Sequence, residues 1–354
     1  MANTRSGHVS VIIPARDASS TIARTLSSLA ADRALICEIL LIDDGSQDNT
    51  TDVARKAAEL HGLPLAVASV AFSSPGAARN AGLERACGDR LYFIDADDEA
   101  MPGGVTLLSS ALDADPAAGL AVGASIHRGQ NAHKLKVPHS YGGNSAANAQ
   151  RYLSNEIRSI TVGSALVTAK AAAGVRFPES IDLDEDTIYW AAILSRCSVT
   201  TIVQPVLAYN LDEARMSRRF VCNPHSVFQG IALELDKLRA FGVADGVLQK
   251  RKTFIAMRIA RHLTRHRRYR EAAEMMKVAR MHGGGGMRDL KALHYNLRIW
   301  RGHASALLGF SKVAEGSDEG SLAHRQAAQA SGRSPRSTAA EQGALAGRPS
   351  QELE

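Results

Sequence analysis

Asp95-Ala96-Asp97-Asp98 puts three carboxylates into four consecutive positions, directly after the apolar run Leu91-Tyr92-Phe93-Ile94. Carboxylates this close repel one another and raise each other's pKa, and a divalent cation removes that cost. Their hard oxygens suit Mg2+ or Mn2+, which retain waters and bind through one or two carboxylates plus substrate phosphates. The cluster reads as half of a metal–diphosphate site. The plainer reading is a solvated acidic turn in which Asp97 caps the helix opened by Pro102. A second group, Asp43-Asp44-Gly45-Ser46, also follows an apolar run. Here Gly45 permits a tight bend, and Ser46 or Asp48 can cap the next helix. The functional alternative is a carboxylate that accepts from a nucleobase edge. A third group, Glu179, Asp182, Asp184, Glu185 and Asp186, falls within eight positions. Some of these acids would favour a helix N-terminus. One could instead serve as a general base on a hydroxyl within hydrogen-bond reach.

The elements that must position these acids alternate. Strands are expected at 8–13, 36–42, 65–71 and 90–94. Helices are expected at 18–31, where Ile22, Leu26 and Leu29 have helical spacing, from 48 or 49 to 60, at 75–87 with Pro75 near the start, and from 102 onward. Short, nearly wholly apolar strands separated by helices form a parallel sheet covered on both faces. In such open sheets ligands bind outside the carboxyl ends of the strands. The first two acidic groups fall at those ends and could share one ligand. Beyond 117 the pattern is mixed, with strands near 119–127 and 198–209 and helices near 145–155 and 184–195. From 224 to 310 the chain reads as helical, interrupted at glycines 283–286. Residues 314–354 lack aromatics and read as a disordered tail.

The 354 residues are 45% hydrophobic and 22% charged, which excludes a collagen-like, disulfide-stapled or wholly disordered chain. Aromatics are only 5%, so the core must be built from Ala, Val, Ile and Leu. Cys37, Cys87, Cys197 and Cys222 form no CxxC pair, so they read as incidental thiols of a reducing compartment and not as a zinc or redox site. No signal peptide and no run of 18 apolar residues is legible, which points to a cytoplasmic protein. The net charge of +6 is segregated. Residues 1–249 hold 22 Lys and Arg against 27 Asp and Glu, whereas residues 250–301 hold 15 against 3. A basic segment after an acidic body suits an anionic partner.

Taken in order, several segments carry a resemblance. They are Val9-Ser10-Val11-Ile12-Ile13-Pro14, Leu41-Ile42-Asp43-Asp44-Gly45-Ser46 with Asp48-Asn49-Thr50, Pro75-Gly76-Ala77-Ala78-Arg79-Asn80-Ala81-Gly82, and Tyr92-Phe93-Ile94-Asp95-Ala96-Asp97-Asp98. This set resembles the nucleotide-sugar half of family 2 glycosyltransferases. The resemblance is specific over 8–115. It is weaker through Phe177-Pro178-Glu179 and Asp184-Glu185-Asp186 to Arg215-Met216-Ser217. It implies the A-type glycosyltransferase fold: an α/β protein with a mostly parallel central sheet flanked by helices. To this the basic segment adds a C-terminal helical extension. The implied organisation is a catalytic domain over 1–220, with a nucleotide-sugar half at 8–115 and an acceptor half at 116–220. A helical extension at 221–313 and the tail at 314–354 follow.

Residue by residue, the resemblance makes Pro14 and its neighbours the floor beneath the nucleobase, has Asp44 accept from the base, usually uracil, and lays Arg79 along the nucleotide; Arg16 could stack on the base or contact a phosphate. Asp95 and Asp97 match the family's Asp-x-Asp element, with Asp97 the direct metal ligand and Asp98 close by. Asp186 matches the second acid of a Glu-Asp pair and is the candidate general base, while Glu185 helps place the acceptor. The implied reaction is a single displacement with inversion. Asp186 takes the proton of an acceptor hydroxyl, and Mg2+ or Mn2+ on the donor's phosphates offsets charge on the departing nucleoside diphosphate. The donor would be a nucleoside-diphosphate hexose, and the acceptor a cell-surface polysaccharide or lipid-linked glycan precursor. The family pattern is departed from in two places: Arg16 and Asp17 stand where an aromatic and Asn are frequent, and no Gln ends the first helix.

If 248–270 is one helix, Arg251, Arg258, Arg261, Arg265 and Arg268 project within an arc of about 100°. Leu248, Ile255, Ile259 and Leu263 occupy another face. Such a helix over 250–281 either binds an anionic membrane surface, making the protein peripheral at the inner face of the plasma membrane, or packs on the catalytic body with its basic face solvated. His262, His266, His282 and His294 lack the acidic partners of a metal site. A sugar nucleotidyltransferase is the rival enzyme, disfavoured by the missing Gly-rich triphosphate loop. A non-catalytic anionic-surface or nucleic-acid binder is the other rival. Nucleic acid is disfavoured because 250–301 has few aromatics for stacking and no reader motif.

Overall fold

The computed structural model describes residues 5–129, 133–142, 144–210 and 223–283. All of them belong to one compact unit, residues 1–304. The Arg215-Met216-Ser217 part of the resemblance, Cys222, His294, most of the 283–286 turn and the 314–354 tail lie outside the described residues.

The first half follows the alternating pattern. Strand β1 (Arg5–Ala15) leads to α1 (Ile22–Ser28), β2 (Ile36–Asp44), α2 (Thr50–His61), β3 (Leu65–Val70), α3 (Pro75–Arg85) and β4 (Gly88–Phe93). These strands lie parallel in the order β3-β2-β1-β4. Alternate residues of β1 and β2 serve opposite faces, as the two-residue strand period requires. Val9, Val11, Ile13, Ile39 and Leu41 belong to the core that also holds Ile22 and Leu26 of α1 and Ala54 of α2. Ile12, Leu40 and Ile42 belong to the other core, with Ala78 and Ala81 of α3. Burial on both faces is why these strands read as continuous apolar runs.

Beyond β4 the sheet becomes mixed. A two-residue strand β5 (Glu99–Ala100) precedes α4 (Gly104–Ala114), β6 (Ala118–Arg128), β7 (His133–Lys136), α5 (Ser145–Leu153), β8 (Ala165–Thr168) and α6 (Ala169–Ala172). Helix α7 (Glu185–Leu194) and β9 (Ser198–Asn210) complete it. β8 is antiparallel to both β4 and β6, β9 runs parallel to β6 and antiparallel to β5, and β7 pairs antiparallel with β6. The α/β class with helices on both faces therefore holds, and the parallel part of the sheet is its first four strands plus the β6–β9 pair. Strands β5, β7 and β8, at two to four residues each, are too short to show a pattern.

The C-terminal region is helical through α8 (Pro224–Lys237), α9 (Asp245–Arg265) and α10 (Tyr269–Met281). The condition of one helix over 248–270 is not met in full: the helix ends at Arg265. Arg267 takes a left-handed φ of 59°, the Arg268 amide donates to Leu263 O and the Arg267 amide to Thr264 O. This satisfies the last carbonyls in the manner of a Schellman motif. A non-glycine residue at the left-handed position hides the stop from sequence reading. Leu248, Ile255, Ile259 and Leu263 are buried, in the core shared with α7.

The cysteines also meet in a way no local motif shows. Cys37, Glu38 and Cys87 converge at the opposite, amino-terminal edge of the first strands. Glu38 accepts there from the Cys87 amide at 2.6 Å and from Ser10 Oγ at 2.5 Å. The hydrogen bond to Glu38, then burial, pushes the Cys87 thiol up to about 11, so it remains a neutral thiol.

Among the described glycines, Gly76 of α3 has the nearest neighbour to an added Cβ. A Cβ on Gly76 would stand 2.0 Å from the carbonyl oxygen of Pro178. Gly76→Ala is expected to force α3 and the 177–179 segment apart, costing about 1–3 kcal/mol in urea unfolding.

Candidate active site

The register Ala15↔Asp43 and Ile12↔Phe93 brings β1, β2 and β4 to an end at the same sheet edge. Asp44 and Asp95 lie on either side of the end of β1, so their strands are about 10 Å apart. Half-buried Pro14 pairs with Ile42, and Arg16 is exposed just beyond, donating to Ser73 Oγ at 2.9 Å.

Asp44 is buried and organises the loop after β3. Its Oδ1 accepts from the Phe72 amide at 2.6 Å and the Ser73 amide at 2.9 Å, and its Oδ2 from the Ser74 amide at 2.9 Å. A carboxylate offers about four acceptor sites, so three are spent on backbone. Ser74 then caps α3 by accepting from the Ala77 amide, and donates to Glu179 O at 2.9 Å. Asn80, one turn further on, brackets Phe177: its Nδ2 donates to Phe177 O at 2.9 Å, and its Oδ1 accepts from the Phe177 amide at 2.9 Å. The 75–82 motif is thus a docking surface for 177–179, with glycine where the backbones touch and asparagine where they hydrogen-bond.

Arg79 projects from this helix into the centre of the site. Its side chain is 4% exposed and its fork is divided: Nη2 lies 2.8 Å from Asp95, and Nη1 lies 3.0 Å from Glu185. Its guanidinium also stands 5.2 Å from the centre of the Phe177 ring. Burial opposes its charge, but the two carboxylates more than compensate and raise its pKa further.

One oxygen from each of Asp95, Asp97 and Asp98 falls within 4.8 Å of the others. Thr25 Oγ1 donates to the carbonyls of Ala96 and Asp98, and Asn210 Nδ2 donates to Asp97 O, so the turn is held from both sides. Asp98 points inward, with Oδ1 accepting from the Asn210 amide at 2.8 Å and buried Oδ2 left without a partner. Burial, then the charge of Asp95, pushes Asp98 up to about 9. Three converging carboxylates with an orphaned buried oxygen fit a hard divalent cation, which would remove both penalties.

Glu185 and Asp186 open α7 on the other side of Arg79. Glu185 is buried, and half-buried Asp186 accepts from the Thr187 amide at 2.6 Å. Desolvation, then the charges of Glu185 and Asp184, pushes Asp186 up to about 7. Asp184 is engaged differently. Burial would raise its pKa, but the guanidinia of Arg258 at 2.7 Å and Arg251 at 3.6 Å outweigh this and hold it below the usual carboxylate range. Arg251 is 3% exposed. Two of the five arginines assigned to a basic helix face therefore point into the protein.

Tyr209 was not singled out in the sequence. Burial raises its phenol pKa, and so do Asp95, Asp98, Asp186 and Asp97, so it feels both acidic groups. Its ring packs 4.7 Å from that of His127, which burial and then Lys136, Arg158 and Lys134 pull down to about 4. Only the dipeptide Tyr209-Asn210 at the end of a strand could have drawn attention to it. A cavity of about 440 Å³ beside 175–180, bordered by Glu179, Ile188, Glu234 and Leu238, includes none of Asp44, Asp95, Asp97, Asp98, Glu185 or Asp186.

The solved structure of S. aureus TarS 1–349 is similar to this chain with a TM-score of 0.58 at 16% identity, covering 88% of this chain and 94% of that one. The same protein with UDP-GlcNAc gives 0.58 at 15%, over 85% and 92%. The fold is that of the A-type glycosyltransferases. Residues 10–173 match the family model described as Glycosyl transferase family 2. Among curated proteins, the Escherichia coli uncharacterized glycosyltransferase YibD is 36% identical over 108 residues, 30% of this chain and 31% of YibD. The Rhizobium meliloti succinoglycan biosynthesis protein ExoO is 24% identical over 296 residues, 76% of this chain and 75% of ExoO. The matched segment spans about a third of the length of the first curated relatives.

Asp44→Ala would leave three loop amides without their acceptor. A loss of about 3 kcal/mol is expected in chemical denaturation, with Asp44→Asn losing less because one acceptor oxygen remains.

Proposed function

We propose that the protein is a metal-dependent inverting glycosyltransferase that moves a hexose from a nucleoside-diphosphate sugar to a glycan hydroxyl. One observation carries this reading: the buried Arg79 fork ties Asp95 of the acidic cluster to Glu185 of the Glu185–Asp186 pair, so both groups gather around one side chain. Asp97, Asp95 and Asp98 would hold Mg2+ or Mn2+. When bound, that ion offsets charge on the departing diphosphate.

Asp186 is the general base. Its pKa near 7 suits proton transfer at neutral pH, because an appreciable fraction is ionised while the carboxylate stays basic enough to take a hydroxyl proton. Glu185, anchored by Arg79, keeps the start of α7 in place and helps position the acceptor. Pro14 and Arg16 border the nucleobase. Asp44 shapes that subsite through the 72–74 loop and has about one acceptor position left for the base. Arg79, spent on two carboxylates, works on the donor through the groups it orients. Tyr209 offers an aromatic wall beside both acid groups.

A UDP-sugar is the favoured donor, on the analogy of TarS solved with UDP-GlcNAc. A cell-surface polysaccharide or its lipid-linked precursor is the favoured acceptor, on the analogy of the relatives named for succinoglycan biosynthesis. No helix among the described residues is long and apolar enough to cross a membrane. For a lipid-linked acceptor the enzyme would work from the inner face of the membrane. Arg261, Arg265 and Arg267 remain on the exposed side of the basic segment for contact with an anionic surface.

Turnover of UDP-sugars is expected to require Mn2+ or Mg2+ and to fall at least about 100-fold in Asp97→Ala. Full activity in that variant would reject the metal assignment. Asp186→Asn should lose about 100-fold or more in kcat. Because the base works ionised, the wild-type rate should rise with pH through about 7 and level off above it. A flat profile from pH 5.5 to 8.5 would remove Asp186 from the base role.

A further inference from the structure

Arg251 and Arg258 lie seven residues apart on α9, two turns along one face. Both reach Asp184, Arg258 at 2.7 Å and Arg251 at 3.6 Å, and Arg251 also donates to Asn155 Oδ1 at 2.9 Å. Phe254 stands between them, its ring centre 5.1 Å from one guanidinium and 6.0 Å from the other. The planar cations are thus braced against an aromatic face as well as paired.

Asp184 is an unusual residue to hold in this way. It has a left-handed φ of 64°, a conformation that non-glycine residues adopt reluctantly. It precedes α7 but makes no side-chain cap, because its carboxylate faces α9 instead. Strained backbone of this kind persists only where surrounding contacts over-determine it, and it concentrates at functional sites. The next two residues are Glu185 and Asp186.

We propose that α9 is a working part of the active site: through Arg258 and Arg251 it fixes the turn at Asp184 and so sets the position of Asp186. These three are positioning residues, and the inference rests on the reading of Asp186 as the base. The clamp also bears on the charge around Asp186. The groups that act on it are Asp184 and Glu185 from its own element, Arg79 from α3, Tyr152 from α5 and Tyr209 from β9. Of these acids, only Asp184 has its charge offset from the helical extension. Removing an arginine would expose Asp186 to more of Asp184's negative charge. Removing the Asp184 charge would expose it to less.

The full-length protein is tested as Arg258→Met, Arg258→Lys and Asp184→Asn, each checked for folding by thermal unfolding. Arg258→Met should lower kcat by about 10- to 100-fold, the scale of a misplaced reacting group, with the donor KM within about twofold of wild type. Arg258→Lys should recover part of the loss. If Arg258→Met does not fold, Arg258→Lys carries the same test at smaller amplitude. The second readout does not need turnover: a carbon-13 NMR titration of the Asp186 carboxyl. Its midpoint should move up in Arg258→Met and down in Asp184→Asn. Opposite shifts support the clamp even if no sugar donor is turned over, in which case it is the glycosyltransferase reading that fails. Wild-type kcat in Arg258→Met, or an Asp186 midpoint that moves in neither variant, overturns the clamp.

Discussion

A guanidinium removed from water is stable only with carboxylates upon it, and Arg79 has two, one from each half of the site. Its planar fork matters as much as its charge. Two divergent nitrogens reach Asp95 at the end of β4 and Glu185 at the start of α7, which a lysine's single ammonium could not do with the same geometry. Everything that positions Arg79 therefore positions the candidate metal ligands relative to the candidate base.

That positioning runs back through α3 to the sheet. Asp44 gathers the 72–74 amides, Ser74 caps the helix, Gly76 lets it touch the 178 carbonyl and Asn80 grips Phe177. A motif that reads as a nucleotide-contact signature is thus also a joint between the parallel strands and the 177–179 segment. The 440 Å³ cavity beside that joint is lined by Glu179 and Glu234 but by none of Asp95, Asp97, Asp98, Glu185 or Asp186.

The basic segment changes character once folded. Its excess charge is real, but part of it is turned inward, where it answers the acidity of the 184–186 turn. Arg261, Arg265 and Arg267 stay exposed. An acidic body and a basic extension within one chain are here partly complementary to each other, which charge counts along the sequence cannot distinguish from complementarity to a partner.

Some of this is fixed by the order of residues alone. Strands β1, β2 and β4 are legible because their buried stretches are nearly wholly apolar, whereas β3, at the sheet edge and half-exposed, gives a weaker run. The acids at 43–44 and 95–98 are legible because they follow those runs directly, and the helix starts at 50 and 75 because capping residues and Pro75 mark them. What stayed hidden depends on partners distant in the chain. β8 is four residues inserted between β4 and β6 and has no pattern of its own. The stop at 266–268 uses a left-handed arginine where a glycine would have announced it. Tyr209 joins the acids only because β9 pairs alongside β5 and β6, and the Arg79 fork and the Asp184 clamp bridge 106 and 74 residues. Local pattern records which backbone each segment prefers and which face it buries. Which charges neutralise which is decided only when segments far apart in the chain are packed side by side, where a buried ion must find its counterion.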